Sequence, residues 1–423
     1  MTMTASLAPP CLAHPDKLFI DGQWVDPLRG GRIEVVSAHS EQVIATVAEA
    51  TEDDVDRAVL AARRAFDSGP WPRLSPAERA EYLRKLSAAL APRLPELAQA
   101  WTDQIGALAS VSPFVIGAGH SWFDYYAELA ERFPFEELRT PADGQGRALV
   151  VREAVGVVAA IAPWNNPFGI MTGKLAPALL AGCTVIMKPA PETPIEAYII
   201  AEAAEQIGLP AGVLNLLTTH REAADHLVCN PGVDKVSFTG SVAAGQRIGL
   251  VCGSRIARYT LELGGKSAAI VLDDYDIGQA AKVLASTISM SCGQVCANLS
   301  RVIVSRHRHR ELVEALQAEM QAIRVGDPYD VRAQMGPLAM GRQRSRVEEY
   351  IAIGKAEGAR LVSGGGRPAD LPRGYYIEPT LFAGVTDDMR IATDEIFGPV
   401  LSVLKFKDVD EIAKRARNAG ITL

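Results

Sequence analysis

The chain has 423 residues, of which 48% are hydrophobic and 22% are charged, a composition typical of a globular protein large enough for two or three domains. Its formal net charge of −7 argues against a nucleic-acid-binding protein, which would need a basic surface. Its six scattered cysteines exclude a disulfide scaffold. The first sixteen residues carry no Lys or Arg, and no apolar run approaches the roughly 20 residues that cross a membrane, so we expect a cytoplasmic protein that binds neither membrane nor nucleic acid.

The N-terminal part of the chain is predicted to mix short strands with helices. Strands are expected within 18–25 and 33–47, where apolar runs are broken by turn residues. Thr51 and Ser75 are predicted helix N-caps, because each precedes an amphipathic pattern. Residues 101–129 are predicted to be helical, with an interruption at Ser112-Pro113.

Residues 134–153 differ in character from the helices before them. Prolines and the turn pair Asp143-Gly144 lie in a polar stretch that ends in the apolar run 148–151. This pattern is typical of a protruding β-hairpin.

From Val155 onward, strands and helices alternate. Apolar runs without period-2 alternation, separated by helical segments, occur at 156–161, 184–187, 213–217 and 235–238. Such strands form a parallel sheet covered by helices on both faces, and this kind of sheet binds ligands beyond the carboxyl ends of its strands. We therefore expect a ligand site after these strands.

A candidate phosphate-binding turn follows the last of these strands. No Gly-x-Gly-x-x-Gly occurs there, so the usual dinucleotide fingerprint does not apply. Instead, Phe238-Thr239-Gly240-Ser241, with Gly245 beyond it, places a glycine turn and a hydroxyl at a predicted helix N-terminus. The backbone N–H groups at such a terminus suit an anion, although a turn without a ligand is the alternative.

A second block of strands and helices follows Leu263. Its predicted elements lie at 268–272, 277–290, 301–304, 310–323, 340–357, 400–406 and 409–418. Together the two blocks predict an α/β protein.

Cys296 is the candidate nucleophile of the second block. Its neighbours are small, and a cysteine held exposed in this way reacts as the thiolate. An inert core cysteine is one alternative, and a metal site shared with Cys292 is another, although further ligands at the required spacing are missing. Glu262 precedes the pair Gly264-Gly265, which indicates a turn at a strand end where a carboxylate can act as a base.

Six segments, in the same order along the chain, resemble the motifs of the aldehyde dehydrogenase superfamily. They are Pro163-Trp164-Asn165, Met187-Lys188-Pro189, Phe238-Thr239-Gly240-Ser241, Glu262-Leu263-Gly264-Gly265-Lys266, Gly293-Gln294-Val295-Cys296 and Glu395-Ile396-Phe397-Gly398-Pro399. The resemblance runs from about Leu18 to about Asn418. It implies an α/β fold with a Rossmann-like parallel-sheet cofactor domain, an α/β catalytic domain and a protruding oligomerisation hairpin.

The resemblance also implies domain bounds and an assembly. Residues 1–133 and 154–262 would form the NAD(P)-binding domain, 134–153 the oligomerisation hairpin and 263–423 the catalytic domain. A homodimer or homotetramer is implied. Because family members continue past the position of Leu423, we expect that the last part of the catalytic domain lies outside this sequence.

The implied activity is oxidation of an aldehyde to a carboxylic acid with NAD(P)+. Cys296 would form a thiohemiacetal and then a thioester, Asn165 would stabilise the oxyanion, and Glu262 would activate the hydrolytic water. The implied cofactor-binding residues are Ile161, Trp164, Lys188, Gly240, Ser241, Gly245, Leu263, Glu395 and Phe397. NAD is the expected cofactor. NADP is the alternative, because many NAD-preferring members have a glutamate where this chain has Pro191, with Glu192 displaced by one.

Two hypotheses outside this activity stay open at the level of sequence. One is a catalytically impaired member with a structural or interaction role, and the other is a thiol esterase that uses Cys296 without redox chemistry. The aldehyde is not identified, although Trp122, Phe168, Met171 and Val295 are expected to line its pocket.

Overall fold

The computed structural model describes residues 12–408 and 411–412. The described elements up to residue 151 are β1 (Leu18–Ile20), β2 (Gln23–Val25), β3 (Gly31–Val36), β4 (Val43–Glu49), α1 (Glu52–Asp67), α2 (Pro76–Leu90), α3 (Leu94–Ile105), α4 (Ser112–Leu129), β5 (Glu136–Arg139) and β6 (Ala148–Val151). The predicted N-caps are confirmed. The backbone N–H of Thr51 donates to the Asp54 carboxylate at 3.0 Å, and Ser75 forms a reciprocal capping box with Glu78.

The break between α3 and α4 lies earlier than predicted. Gly106 ends α3 in the left-handed conformation, with φ of 77°. A Cβ at this position would lie 2.5 Å from Cγ of Pro337, so the close approach also requires glycine. Ser112 and Pro113 begin α4 rather than interrupt a helix, because a proline in the first turn lacks only an N–H that would have no helical partner.

The large sheet is built from the alternating region that the sequence predicted. Its further elements are β7 (Val157–Ile161), α5 (Pro167–Ala181), β8 (Thr184–Lys188), α6 (Ile195–Gln206), β9 (Leu214–Leu216), α7 (Arg221–Cys229), β10 (Lys235–Gly240), α8 (Val242–Ser254) and β11 (Arg258–Leu263). The strand order is β11-β10-β7-β8-β9-β1-β2. The strands from β11 to β9 are parallel, whereas β1 pairs antiparallel with both β9 and the edge strand β2.

Both faces of this sheet are covered, as expected for strands without alternation. In β7, Ala160 packs into the core shared with α2, α5 and α6, whereas Ala159 packs into the core shared with α1, α7 and α8. A strand with apolar residues on both faces is stable only between two helical layers. The carboxyl ends of β7, β10 and β11 are therefore directed to one open edge.

The second sheet follows directly after β11. Its elements are β12 (Ala268–Val271), α9 (Ile277–Ser289), β13 (Arg301–Ser305), α10 (His309–Ala322), α11 (Gly341–Ala356), β14 (Arg360–Ser363), β15 (Thr380–Ala383), α12 (Arg390–Thr393) and β16 (Val400–Phe406). The strand order is β12-β13-β16-β15-β14, with β14 antiparallel to the others. Apart from 411–412, the helix predicted at 409–418 lies outside the described residues.

The predicted hairpin is present as β5 paired with β6 in a separate two-stranded sheet. Leu138, Leu149 and Val151 are exposed on it. The α/β fold class is confirmed, and the domain bounds stay a prediction.

Candidate active site

A cavity of about 620 Å³ opens at the carboxyl ends of β7, β10 and β11, where the first sheet meets the second. Asn165, Glu262 and Cys296, the three predicted catalytic residues, all line it. They come from three separate segments of the chain, which the fold brings to one place.

The turn before Cys296 is made of three successive residues in the left-handed conformation. Ser291, Cys292 and Gly293 have φ of 46°, 55° and 72°. A Cβ on Gly293 would lie 2.3 Å from the carbonyl carbon and oxygen of Gly398, so only glycine fits against the backbone of the Glu395–Pro399 motif. Two of the six sequence motifs therefore approach each other closely through the main chain of Gly293 and Gly398.

This turn separates the two cysteines. Cys292 is 1% exposed, and burial raises the pKa of its thiol far above the usual range. Cys296 is exposed and lines the cavity. Because the thiolate is the reactive form, the geometry favours Cys296 over Cys292 as a nucleophile.

Buried amides hold the cysteine segment in place. The Gln294 side chain accepts a hydrogen bond from the Ala339 N–H at 2.9 Å and donates one to the Ser291 carbonyl at 2.9 Å. The Asn298 amide donates to the Gly293 carbonyl at 3.2 Å. These bonds limit the freedom of Cys296 before any substrate is bound.

Asn165 lies just before α5, against the same segment. Its Nδ2 donates to the carbonyl oxygen of Gln294 at 3.0 Å, and its own carbonyl accepts from the Trp101 indole N–H at 3.0 Å. An amide nitrogen has two N–H groups, so the second one is available to an oxygen in the cavity.

Glu262 is an exposed residue near the end of β11, and its charge acts on Lys174 of α5. Burial lowers the pKa of Lys174 to about 8, while the charge of Glu262 acts in the opposite direction. Lys174 Nζ also donates to Ser237 Oγ at 3.3 Å. The sequence analysis did not identify Lys174, because a single lysine on a helix carries no motif.

The opposite part of the cavity has features that suit a dinucleotide. Gly240 and Ser241 line it at the start of α8, where Ser241 Oγ accepts from the Ala244 N–H at 3.3 Å. The positive end of this helix suits a phosphate. The rings of Trp164 and Phe397 meet edge to face, with centroids 5.2 Å apart, and form a further wall.

Glu395 offers an acceptor to this part of the cavity. The Glu395 carboxylate packs against the glycine turn, because a Cβ on Gly264 would lie 1.9 Å from its Oε2. Its Oε1 is buried and has no hydrogen-bond partner. A carboxylate and a helix N-terminus that line one cavity fit a ligand with hydroxyl and phosphate groups, such as NAD.

Three predicted cofactor residues do not line the cavity. Ile161 and Gly245 are buried, the latter against the side chain of Leu263, which does line the cavity. Lys188 is 8% exposed, and burial lowers the pKa of its ammonium to about 8. Glu192, near Lys188, forms an ion pair with Arg342 at 2.5 Å.

Two of the residues expected at the aldehyde pocket, Phe168 and Met171, are buried in the core and do not line this cavity. Phe168 lies against α4, where a Cβ on Gly119 would be 2.9 Å from its ring. Ile170 lines the cavity instead. Trp122 is 40% exposed and lies against α5, where a Cβ on Gly173 would be 3.6 Å from its Nε1. Val295 is half-buried next to Cys296.

One face of α11 also lines the cavity, and the sequence analysis did not identify it. Gln343, Arg346 and Tyr350 recur at helical spacing and contribute to the wall. Gln343 donates to the carbonyls of Ile396 and Phe397, at 3.1 and 2.7 Å, and so holds the backbone beside Glu395. The amphipathic pattern predicted the helix but not which segment it would contact.

In the part of the chain that the structure describes, no helix is long and apolar enough to span a membrane.

The chain was compared with known proteins. The model of the aldehyde dehydrogenase family matches residues 24–422. The geranial dehydrogenase of Castellaniella defragrans is 41% identical over 407 residues, covering 95% of this chain and 84% of that protein. The aldehyde dehydrogenase of Mycobacterium tuberculosis, solved with NAD+, is 42% identical with a TM-score of 0.90, covering 95% and 83%. Aldehyde dehydrogenase C of Pseudomonas syringae, solved with NAD+ and octanal, is 35% identical with a TM-score of 0.92, covering 97% and 84%. This chain belongs to the aldehyde dehydrogenase family.

Proposed function

We propose that this chain oxidises an aldehyde to a carboxylic acid with NAD+, through a thioester on Cys296. The observation that carries the proposal is the convergence of Cys296, Asn165 and Glu262 on one cavity, which the α8 N-terminus and the residue Glu395 also line. The NAD+ complexes of the similar solved structures support the choice of cofactor.

The first step is addition of the Cys296 thiolate to the aldehyde carbon. A carbon–sulfur bond forms, and the carbonyl oxygen becomes an oxyanion. The free N–H of the Asn165 amide and the backbone N–H of Cys296 are the donors for this oxygen. Removal of one such donor typically costs about 10²–10³ in turnover.

NAD+, when bound, supplies the hydride acceptor that turns the adduct into a thioester. Ser241 and Gly240 would hold its phosphates, and Glu395 would accept from a ribose hydroxyl. Glu262 then removes a proton from a water that attacks the thioester carbon. The carbon–sulfur bond breaks, the acid leaves, Cys296 returns as the thiolate with which the cycle began, and Glu262 passes its proton to solvent.

The aldehyde tail would extend along α5 from Ile170 towards Gly173. Glycine at position 173 leaves space next to the Trp122 ring. The ring centroid of Trp122 lies 5.9 Å from that of Tyr125 and 6.0 Å from that of Tyr126. An aromatic rim favours apolar aldehydes. Relatives named for geranial and benzaldehyde oxidation are consistent with this preference.

NAD is the preferred cofactor in this proposal, with NADP accepted less well. Glu192 is held near Lys188 by Arg342 and places a negative charge where a 2′-phosphate would approach. A kcat/KM at least tenfold higher with NADP than with NAD would contradict this.

The domain bounds given above, a homodimer or homotetramer, and a cytoplasmic location belong to the same proposal. The exposed apolar residues of the β5–β6 hairpin support self-association. Light scattering on the purified chain would measure the oligomeric state.

The test of the activity is formation of NADH by the purified chain with a panel of apolar, aromatic and quaternary-ammonium aldehydes. We expect turnover, fastest for apolar members. The impaired-member and esterase hypotheses predict no NADH with any member, and the esterase hypothesis predicts hydrolysis of an activated ester without cofactor.

A further inference from the structure

Phe397 is a non-glycine residue in the left-handed region of the backbone, with φ of 61°. This conformation is unfavourable for a residue with a Cβ, and it persists only where neighbouring groups hold it. The Phe397 ring meets that of Trp164 edge to face in the cavity wall, with centroids 5.2 Å apart. The group that holds the Phe397 backbone therefore also decides where this ring lies.

One side-chain nitrogen binds the peptide groups on both sides of Phe397. Gln343 Nε2 donates to the carbonyl of Ile396 at 3.1 Å and to that of Phe397 at 2.7 Å. These carbonyls belong to the two peptide planes that meet at the Phe397 Cα, so φ and ψ of that residue set their relative orientation. In extended backbone two successive carbonyls point in opposite directions, and one nitrogen cannot reach both. The two hydrogen bonds therefore restrain the Phe397 backbone directly.

Gln343 is itself held in a fixed place. It lies in the first turn of α11 and is 8% exposed. One turn further along the helix, Val347 packs so closely against Gly398 that a Cβ on this glycine would collide with the valine side chain. The donor and the backbone that it binds are thus anchored to the same helix.

We propose that Gln343 is a positioning residue that keeps Phe397 left-handed and so holds the Phe397 ring against Trp164. Without the amide, the peptide groups on both sides of Phe397 are free to turn towards a right-handed or extended conformation, and the ring leaves the wall. In the proposed function this wall borders the NAD+ site, so the inference rests on that function for the identity of the ligand. Gln343 acts through the backbone of Phe397 and not by contact with the reacting atoms.

The first experiment needs no ligand. Near-ultraviolet circular dichroism of the purified chain depends on the fixed packing of its aromatic rings, and Trp164→Phe identifies the part of the spectrum that comes from Trp164. Gln343→Leu removes both hydrogen bonds and keeps the side-chain size similar. We expect it to change the same part of the spectrum as Phe397→Gly, which removes the ring and accepts the left-handed backbone. In the Phe397→Gly background, Gln343→Leu should change nothing further.

The second experiment measures the dissociation constant of NAD+ by calorimetry, without turnover. We expect Gln343→Leu to weaken binding roughly tenfold, the upper end of what one aromatic contact contributes. The double variant with Phe397→Gly should bind no more weakly than Phe397→Gly alone. A double variant that binds much more weakly would show that Gln343 contacts the ligand itself, and this would overturn the positioning role.

Ser345→Ala is the matched control on the same helix. Ser345 is exposed, and its hydroxyl donates to the Gly341 carbonyl at 3.1 Å, a bond that stays within α11. This variant should keep the spectrum and the NAD+ affinity of the parent. A merely structural role for Gln343 predicts a lower melting temperature in Gln343→Leu with both the Trp164 signal and the affinity unchanged, and that result would refute the proposal.

If Gln343→Leu does not fold, Gln343→Asn provides a milder variant. It keeps an amide but is one methylene too short to reach both carbonyls, so we expect the same change in the Trp164 signal, and an unchanged signal would contradict the proposal. A chain that binds NAD+ but forms no NADH would refute the proposed oxidation and leave both measurements intact. A chain that does not bind NAD+ would refute the proposed cofactor, and the ligand-free spectrum would still decide the role of Gln343.

Discussion

Gly293 holds the turn before Cys296 against Gly398, and its replacement by alanine tests whether this contact positions Cys296. Its φ of 72° is unfavourable for any residue with a Cβ, at a cost of about 1–2 kcal/mol. A Cβ would also lie 2.3 Å from the Gly398 carbonyl, far inside contact distance, so one of the two backbones must move. Overpacking of this kind typically costs about 1–3 kcal/mol.

We expect Gly293→Ala to lose roughly 2–5 kcal/mol of unfolding free energy, the sum of these two costs. Turnover should fall about 100-fold, because a shift near 1 Å at the nucleophile has effects of that size. Gly117→Ala is the control, since Gly117 lies within α4 and a Cβ there would have no neighbour within 4 Å. The control should gain about 0.5–1 kcal/mol.

Thermal unfolding, steady-state NADH formation and the rate of Cys296 alkylation by iodoacetamide measure the three effects. If Gly293→Ala behaved like Gly117→Ala in unfolding and turnover, the contact between the two motifs would not position the nucleophile.

Three further predictions address the site and the core. Cys296→Ser should abolish aldehyde oxidation while the Cys292→Ser variant keeps most of it, since Cys292 is buried away from the cavity; the reverse result in the NADH assay would reassign the nucleophile. Glu262→Gln should give one burst of NADH and then at least about a 100-fold lower steady rate, because the amide cannot take a proton from water; unchanged steady turnover would remove Glu262 from the mechanism. Burial raises the pKa of Glu196 to about 7, so the folded state binds the proton more tightly than the unfolded state, and the stability from this group is lost as pH rises towards 7. The unfolding free energy of Glu196→Gln minus that of the parent should therefore increase by up to about 3 kcal/mol between pH 5 and pH 8. Denaturant unfolding at the two pH values measures this, and a difference that does not change with pH would contradict the raised pKa of Glu196.

Local signals in the chain were sufficient for the elements and the motifs. The capping residues Thr51 and Ser75, the four apolar runs of the first sheet and the hairpin after Phe133 were all predicted, because propensity, capping and periodicity act over a few residues. The family was also recognisable from six short motifs, and the comparisons confirm it. The roles of the individual site residues stay predictions.

Distant contacts were outside the reach of the sequence. Gly106 was not recognised as the end of α3, because its contact with Pro337 comes from a distant segment. Phe168 and Met171 were expected in the pocket, because periodicity does not say what each face of α5 contacts.

The sequence alone determined the α/β alternation, the family, and the residue types available for nucleophile, base and oxyanion donor. Only the tertiary structure decided that Gly293 packs against Gly398 and Gly264 against Glu395. It also decided that Gln343 and Arg346 of α11 line the cavity and that Lys266 is buried. The physical reason is that secondary structure follows from neighbours along the chain, whereas burial, and with it the charge state of a lysine or a carboxylate, depends on segments that only folding brings together.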